Sequence, residues 1–464
     1  MSLFRRKVVR PEPKETALAR TLSWPHLVAL GVGAIVGTGI LTLIGVGAGL
    51  AGPSVILSFA IAGAICACAA LCYAEMATTI PASGSAYTYS YAVLGEIIAW
   101  VIGWSLILEY SLVVSTVAVG WSGYAAPLLQ GAFGFPDALT KGPELGGVVN
   151  LPAVFIIAVV AGLLCLGTKE SATLNAVLVG LKIVALAVFV GVTLPYFDRA
   201  NLEPFMPFGF PKAASAGGVE RGVMAAAAII FFAFYGFDAI STAAEETKNP
   251  GRDLAIGIVG SMVACVLIYM LVAVAAVGAL SYRRFAGSAE PLALILRELG
   301  RPGVARFLAL SAVIALPTVL LAFLFGQSRI FFTMARDGLL PASLATVSRR
   351  GSPVRITLVT AAIVAVIAGL LPLGEIAALA NAGTLAAFVA VAVCVLVLRR
   401  RDPDAARSFR TPAAWVVAPF AVGGCLYLFW SLPSSTQLYF LLWNLGGLAV
   451  YFLYARPRAV ARAA

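Results

Sequence analysis

Apolar stretches of about 20 residues, separated by shorter polar segments, recur along the chain from about residue 26 to residue 455. A helix of about 20 apolar residues is long enough to cross a hydrocarbon core of ~30 Å. The pattern therefore predicts an all-α membrane protein with twelve transmembrane helices. The predicted spans run approximately over 26–50, 54–79, 95–130, 151–167, 173–195, 222–246, 253–280, 303–335, 355–371, 375–398, 413–431 and 437–455.

Two of these spans contain residues that weaken a helix. The first span carries Gly37, Thr38 and Gly39 within a glycine-rich stretch. The sixth carries Gly236 and Asp238 where a span is normally most apolar. Glycine costs up to about 1 kcal/mol relative to alanine in a helix interior, so these positions need a physical reason. We interpret both as interruptions of the helix.

Close packing by small residues is the alternative explanation for the glycines of the first span. Gly45 and Gly49 fit that alternative because they form a GxxxG pair, which lets a neighbouring helix approach closely. For Gly37 and Gly39 the interruption is the preferred interpretation.

The interrupted spans divide the chain into repeats. The interrupted spans are the first and the sixth. The chain therefore divides into two groups of five spans, followed by two additional spans. An odd number of spans per half inserts the halves in opposite orientations, and interrupted helices at corresponding positions of inverted halves mark a transporter site near the bilayer midplane. The predicted units are an N-terminal tail (1–25), a first repeat (26–196), a second repeat (222–399), two extra helices (413–455) and a C-terminal tail (456–464).

An interruption inside the membrane leaves backbone groups unsatisfied, which is tolerated only where they line a cavity or meet a ligand. Amides at the start of one half-helix attract a carboxylate. Carbonyls at the end of the other half-helix attract an ammonium. The two interruptions together therefore favour a zwitterion as the ligand.

Composition and charge agree with a membrane protein and restrict its function. Of the 464 residues, 61% are hydrophobic and 11% are charged. The net charge of +11 comes mainly from lysines and arginines in the termini and in the loops of one side, which predicts cytoplasmic termini and argues against nucleic-acid binding. The seven cysteines lie in apolar spans without metal spacing, and no catalytic or phosphate-binding motif is present. We therefore predict no cofactor, no metal site and no enzymatic activity, and we disfavour a sensor or a channel.

The segment 81–96, between the second and third spans, is too polar to cross the membrane. We expect it to lie along the inner membrane surface, with its tyrosines at the interface. Near the same surface, Glu75, Glu245 and Glu246 are expected to be solvated or to form the salt bridges of a gate.

Two acids lie deeper in the predicted spans. Glu109 is well inside the third span, where a carboxylate costs about 2.5–3.5 kcal/mol on insertion scales. It either faces the bound substrate or forms a hydrogen-bonded or protonated strut between the first and third spans. Asp238 follows the interruption of the sixth span, and its simplest role is to cap the second half of that helix.

Lys182 lies in the middle of the fifth span, roughly 13–18 Å from either end at 1.5 Å per residue. The lysine stem covers about half that distance, so its charge cannot reach the surface by snorkelling. An amine at this depth loses the hydration that favours its charged form, and it can exchange a proton near neutral pH. The alternative is a permanently charged lysine that holds neighbouring helices together.

Five stretches of the sequence resemble a known transporter superfamily. They are GAIVGTGI (33–40), IPASGSAYTYSY (80–91), GWSLILEY (103–110), FFAFYGFDAISTAAEETKNPGRDLAIGI (231–258) and ARDGLLPASLATVS (335–348). They resemble the amino acid, polyamine and organocation (APC) superfamily, and within it the cationic amino acid transporter family in its shorter bacterial form. The resemblance covers about residues 20–455. It implies a leucine-transporter-like fold, a five-plus-five inverted repeat with helices 1 and 6 broken, followed by two extra helices.

The resemblance also implies a substrate site between the first and sixth spans. By position, its residues are Ile35, Gly37, Thr38, Gly39, Glu109, Phe232, Ala233, Tyr235 and Gly236. The amides of Thr38 and Gly39 would bind the substrate carboxylate, and the carbonyls of Ile35, Phe232 and Tyr235 would face its ammonium. Phe232 would also form an aromatic gate, whereas its residue type alone favours ordinary packing.

Lys182 corresponds to a lysine of proton-coupled relatives. In sodium-coupled relatives a cation lies between the first, fifth and eighth spans, and the lysine takes its place. A protonated Lys182 would donate to carbonyls near Gly33 and Ala34, and deprotonation would release them. The resulting hypothesis is an L-amino acid transporter in the lipid bilayer of the cytoplasmic membrane, driven by proton symport. An exchanger without net proton movement is the alternative, and the choice between neutral and cationic substrates and the oligomeric state stay open.

Overall fold

The computed structural model describes residues 5–6, 22–82, 84–166, 172–214, 219–244, 247–341 and 354–458. Glu245, Glu246 and most of the two predicted tails lie outside these residues. The described chain is predominantly helical. Its α-helices are α1 (Trp24–Ile35), α2 (Thr38–Leu41), α3 (Leu43–Ala51), α4 (Val55–Thr79), α5 (Ser85–Val93), α6 (Glu96–Phe133), α7 (Leu151–Leu166), α8 (Ala172–Thr193), α9 (Val223–Ile230), α10 (Asp238–Thr242), α11 (Pro250–Ala279), α12 (Tyr282–Phe285), α13 (Pro291–Glu298), α14 (Pro302–Ala315), α15 (Pro317–Arg336), α16 (Val354–Leu370), α17 (Leu373–Arg401), α18 (Ala414–Ser431) and α19 (Ser434–Val450).

The backbone pairings outside the helices include one short ladder and one isolated bridge. Strand β1 (Ala213–Ala214) pairs antiparallel with β2 (Glu220–Arg221) in the segment before the sixth span. An isolated parallel bridge joins Leu22 to Thr247. This bridge connects the segment before the first span to the segment after the sixth.

Nine helical segments of the described residues are long and apolar enough to cross a membrane. They are Leu43–Thr79, Glu96–Phe133, Asn175–Tyr196, Val223–Thr242, Pro250–Ala279, Pro302–Arg336, Leu373–Arg401, Ala414–Ser431 and Ser434–Arg458. Three shorter apolar helices, Trp24–Ile35, Leu151–Cys165 and Val354–Leu370, coincide with parts of the first, fourth and ninth predicted spans. The chain is therefore a multi-pass, helical membrane protein.

The long helix α6 has many neighbours in the helix bundle. It packs against α15, α16 and α17, while α4 packs against α11 and α17. Helix α1 packs against α8 and α11. These contacts bring the first, third, fifth and eighth predicted spans around one interior region, where the deepest polar residues lie.

Reciprocal indole hydrogen bonds attach the last span to the third. Trp104 Nε1 donates to the carbonyl oxygen of Trp443 at 3.0 Å, and Trp443 Nε1 donates to that of Trp104 at 3.0 Å. The two rings stack with their centroids 5.0 Å apart. A Cβ at Gly447 would overlap the Trp104 ring, so the close approach of α19 to α6 requires a glycine there.

The tyrosines of the segment 81–96 are buried inside the protein, so the expectation of an interfacial position is wrong. The segment contains α5, and Tyr87 and Tyr91 of this helix are almost inaccessible. Tyr87 Oη donates to Asp337 Oδ2 at 2.8 Å, and Tyr91 Oη donates to Glu96 Oε2 at 3.0 Å. Acids of neighbouring elements thus give these hydroxyls partners that the local sequence pattern does not reveal.

The GxxxG pair of the first span packs against a loop segment. A Cβ at Gly45 would lie 3.1 Å from the carbonyl oxygen of Phe285 and 3.2 Å from Pro291 Cβ. A Cβ at Gly49 would lie 3.4 Å from Ala286 Cβ. These neighbours belong to the connection between the seventh and eighth predicted spans, so the small residues let that connection cover the C-terminal half of the first span.

Candidate functional site

The first span is interrupted between α1 and α2. Helix α1 ends at Ile35, and α2 begins at Thr38. Between them, Val36 has φ −74° and ψ 93°, and Gly37 has φ −146° and ψ −145°. The first amides of a helix have no acceptor within it, so the start of α2 presents free donors. An anion can bind at this point.

The sixth span is interrupted around Gly236. Helix α9 ends at Ile230, a 3-10 turn covers Phe231–Ala233, and α10 begins at Asp238. Gly236 has φ +113°, a conformation that favours glycine because it has no Cβ. Carbonyls before the interruption lose their helical donors and become available to a cation.

The two interruptions touch each other. A Cβ at Gly39 would overlap the Cα of Ala233. A Cβ at Gly236 would lie 3.0 Å from the carbonyl carbon of Ala34. The structure therefore brings Gly39, Ala233 and Gly236 together, and the absence of larger side chains allows the two backbones to meet.

Aromatic residues surround this contact. The ring of Phe232 meets the ring of Tyr235 edge-on with centroids 4.8 Å apart, and Tyr235 meets Phe323 of α15 at 6.1 Å. Tyr269 Oη of α11 donates to the carbonyl oxygen of Ile35 at 2.7 Å. The Ile35 carbonyl thus already has one protein partner, and Tyr269 is a site residue that the sequence analysis did not identify.

Several buried polar atoms near the interruptions have no hydrogen-bond partner among the described residues. They include Thr38 Oγ1, Glu109 Oε2, Tyr235 Oη, Gln327 Oε1 and Asn381 Oδ1. Buried polar groups in native proteins are almost always paired. These atoms therefore indicate a place where a polar ligand can supply the missing partners.

Asn381 of α17 supports the interruption of the sixth span. Its side chain is fully buried, and Nδ2 donates to the carbonyl oxygens of Ala228 at 2.7 Å and Ile229 at 3.1 Å. These carbonyls lie near the end of α9, where helical donors run out. The sequence analysis missed Asn381, although an amide within an apolar span is a signal of a functional position.

Glu109 and Asp238 form a buried acidic pair between α6 and α10. Both side chains are almost inaccessible, and Asp238 contacts Tyr110, the residue that follows Glu109. Asp238 Oδ2 accepts a hydrogen bond from Tyr110 Oη at 3.0 Å, and Oδ1 accepts one from the amide of Gly236 at 3.2 Å. The second contact ties the interrupted turn to the first residue of α10. It is not the helix cap expected from the sequence, because the N-cap of α10 is Phe237 and the helix has no side-chain cap. One oxygen of Glu109 has no partner in the described chain.

Lys182 connects three spans. Its side chain in α8 is buried, with 3% exposure. Nζ donates to the carbonyl oxygen of Gly33 in α1 at 3.0 Å and to Thr318 Oγ1 in α15 at 3.2 Å. Gly33 lies in the last turn of α1, just before the interruption, where the helix dipole favours a positive charge. The ammonium is therefore coupled directly to the end of the first half-helix.

The chain is similar to known transport proteins along almost its whole length. A family model described as amino acid permease matches residues 22–453. The sequence is 44% identical over 470 residues to the branched-chain amino acid permease BcaP of Bacillus subtilis (strain 168), covering 99% of this chain and 98% of that protein. It is 42% identical over 467 residues to the methylthioribose transporter of the same organism, covering 99% of both chains. It is 39% identical over 410 residues to the cationic amino acid transporter 2, vacuolar, of Arabidopsis thaliana, covering 87% of this chain and 64% of that protein.

Proposed function

The chain belongs to the amino acid permease family of the APC superfamily, and from that premise we propose that it is a proton-coupled symporter of L-amino acids. It moves its substrate by alternating access across the cytoplasmic membrane, with both termini in the cytoplasm. The relatives named above are permeases and transporters, which favours transport over catalysis as the function of this chain.

The proposed architecture has twelve spans, of which ten form a five-plus-five inverted repeat. The repeats comprise 26–196 and 222–399, and the two extra helices lie within 413–455. The interruptions at Gly37 and Gly236 support this division because each falls in the first span of its repeat.

The proposed substrate site uses the backbone at both interruptions. The substrate carboxylate binds the amides of Thr38 and Gly39, and its ammonium binds the carbonyls of Phe232 and Tyr235. The unpaired Oγ1 of Thr38 supports this assignment, since a hydroxyl can donate a further hydrogen bond to the carboxylate. The carbonyl of Ile35, which already accepts one hydrogen bond, has a second lone pair for the ammonium. The other residues of the proposed site, Gly37, Ala233 and Gly236, contribute only the small size that lets the two backbones approach.

Glu109 is proposed to face the substrate side chain, because one of its oxygens is buried without a partner among the described residues. The relatives' names refer to branched-chain amino acids, cationic amino acids and methylthioribose. A thermal-shift screen of the twenty amino acids against the purified protein will identify the class of side chain. Each substrate should raise the melting temperature, since a ligand that binds only the folded state stabilises it.

Proton coupling is proposed for Lys182, and its contact with Gly33 is the observation that carries the proposal. A protonated ammonium holds the end of α1 by its hydrogen bond to that carbonyl. Loss of the proton weakens this bond and lets the first half-helix move. The proton thus controls the same backbone segment that binds the substrate carboxylate.

An exchanger in which Lys182 stays permanently charged is the second candidate, because the hydroxyl of Thr318 adds a further polar partner. Proteoliposomes with an internal pH dye distinguish the two functions. Symport predicts acidification of the lumen when substrate is added, and Lys182→Ala should abolish acidification. Lys141→Ala, which removes an exposed loop lysine, is the matched control. Substrate exchange without acidification in the unmodified protein would refute symport.

A further inference from the structure

A basic cavity lies where the tenth predicted span ends and the eleventh begins. Helix α17 ends at Arg401, and α18 begins at Ala414. The connection between them folds back and encloses a cavity of about 170 Å³. Its walls are formed by Arg399, Pro403, Arg407, Arg410 and Trp415. The amino acid site proposed above does not use any of these residues.

Two arginines of the cavity wall share a single acid. Arg399 Nε and Nη2 donate to the two carboxylate oxygens of Glu75 at 2.9 and 2.8 Å. Arg407 Nε lies 3.4 Å from Glu75 Oε1. The side chains of Glu75 and Arg407 are 1% and 2% exposed. One carboxylate cannot neutralise two guanidinium groups. Arg407 Nη2 also donates to the backbone carbonyls of Leu398 and Asp402, which pair these donors but do not neutralise the charge, so the wall keeps a net positive charge.

Further positive charge surrounds the opening of the cavity. Arg410 is exposed and forms no hydrogen bond or ion pair with the described residues. The guanidinium carbon of Arg400 lies 5.3 Å above the ring centroid of Trp415. Asp402 and Asp404 in the same connection are exposed, and neither forms an ion pair within the described part of the chain. The arginines near the opening are therefore available to an anion.

The apolar surface beside the cavity indicates where that anion comes from. Trp415, Val416 and Phe420 are more than half exposed at the start of α18. A tryptophan next to arginines at a span end is typical of the level of lipid headgroups. The cavity, of about 170 Å³, is small and open on one side, which suits a phosphodiester group better than a large sugar.

We propose that this cavity binds the phosphodiester headgroup of an anionic phospholipid, whose acyl chains lie along the exposed apolar face of α18. A phosphate group matches the planar donors of arginine. The apolar face provides a surface for acyl chains that free phosphate lacks. Clustered basic residues at a cytoplasmic span end are a known form of anionic lipid recognition. The proposal is independent of the transport function.

Native mass spectrometry of the full-length protein tests the proposal. The protein is released from nanodiscs containing phosphatidylglycerol or phosphatidylcholine, and retained lipid adducts are counted. We expect selective retention of phosphatidylglycerol. Arg400→Gln and Arg410→Gln should each weaken it about fivefold, since one basic residue near an anionic surface contributes about that factor. Arg456→Gln is the matched control, because Arg456 lies at the end of the last spanning segment with its guanidinium carbon 5.8 Å from the ring centroid of Phe452.

Two results would overturn the proposal. Equal loss of phosphatidylglycerol in Arg410→Gln and Arg456→Gln would show that general surface charge retains the lipid. Full competition by millimolar inorganic phosphate, with no preference between the two lipids, would show that the cavity binds free phosphate instead. Normal elution and melting of each variant confirm that its fold is intact, which is expected because the substituted side chains are at the surface.

Discussion

Gly39 and Ala233 hold the backbones of the two interrupted spans in direct contact. A Cβ at Gly39 would overlap the Cα of Ala233, which belongs to rigid backbone and cannot move aside as a flexible side chain does. The position is therefore sensitive to the addition of a single methyl group.

Gly39→Ala should separate the two interruptions and disrupt the proposed substrate site. We expect uptake to fall by about 100-fold, because a displacement of about 1 Å at a positioned site has effects of that size. Gly49→Ala lies in the same span, where the added Cβ would be in ordinary contact with Ala286 at 3.4 Å, and it should transport normally. Radiolabelled uptake in proteoliposomes measures both. Normal affinity in Gly39→Ala would mean that the substrate binds elsewhere.

Glu109→Gln separates the two interpretations of Glu109. If the carboxylate is reserved for substrate, its replacement by a neutral amide lowers the cost of a buried group without a partner and stabilises the substrate-free protein by roughly 1 kcal/mol, the scale of a buried unsatisfied group. We expect a higher melting temperature together with altered substrate preference in the thermal-shift screen. Glu144→Gln in an exposed loop is the control. A lower melting temperature would instead identify Glu109 as a structural strut.

Glu75→Gln should be strongly destabilising. The substitution keeps the size of the side chain but leaves Arg399 and Arg407 without their shared anion, and breaking a buried pair in this way costs about 3–5 kcal/mol. Thermal melting in detergent measures the loss. Asp137→Asn breaks an ion pair with Lys141 in which both side chains are largely exposed, and it should leave the melting temperature unchanged. Similar melting of both variants would argue against the role of Glu75.

Glu290 should make the connection between the seventh and eighth predicted spans sensitive to pH. Burial raises the pKa of the Glu290 carboxyl, and the nearby Arg297 guanidinium, whose Nη2 is 2.5 Å from Oε1, only partly opposes this. A raised pKa in the folded state means that protonation favours folding. The contribution is complete below the ordinary glutamate pKa of about 4.3 and is lost as pH rises through the higher folded value.

The corresponding measurement compares melting temperatures of the unmodified protein and Glu290→Gln from pH 4 to pH 8. The difference between the two proteins should grow as pH rises, since only the glutamate becomes charged. A difference that is constant across this range would show that Glu290 does not titrate in it.

The sequence predicts the interrupted spans well because their causes are local. Gly37 and Gly236 lie at the interruptions of the first and sixth spans. The burial of Lys182 agrees with its position in the middle of an apolar span. Its contact with Gly33 agrees with the expectation from the family resemblance. Each of these features depends on residue type and spacing, which the sequence contains.

Other features depend on contacts between distant segments. The local pattern places Tyr87 at the interface because its acidic partner, Asp337, lies 250 residues further along the chain. The partner of Tyr91, Glu96, is only five residues away, and the sequence analysis missed this contact although it is local. Asn381 is one amide among small residues, and only the packing of α17 on α9 shows which carbonyls it binds. Spacing within one helix does not determine which face meets which neighbour, so the partners of Tyr87 and Asn381 could not be assigned in advance.

The stacked indoles of Trp104 and Trp443 give the molecule an internal optical reporter. The two rings have centroids 5.0 Å apart and planes inclined by 24°, and Trp104 also stacks on Trp100 of its own helix at 5.6 Å. Such rings share their electronic excitation and produce a coupled signal in ultraviolet circular dichroism, of which the Trp104–Trp443 part is the part that Trp443→Phe removes. The signal depends on both distance and angle. Its persistence or loss during a transport cycle would therefore show, without any attached label, whether the last helix moves together with the third or separates from it.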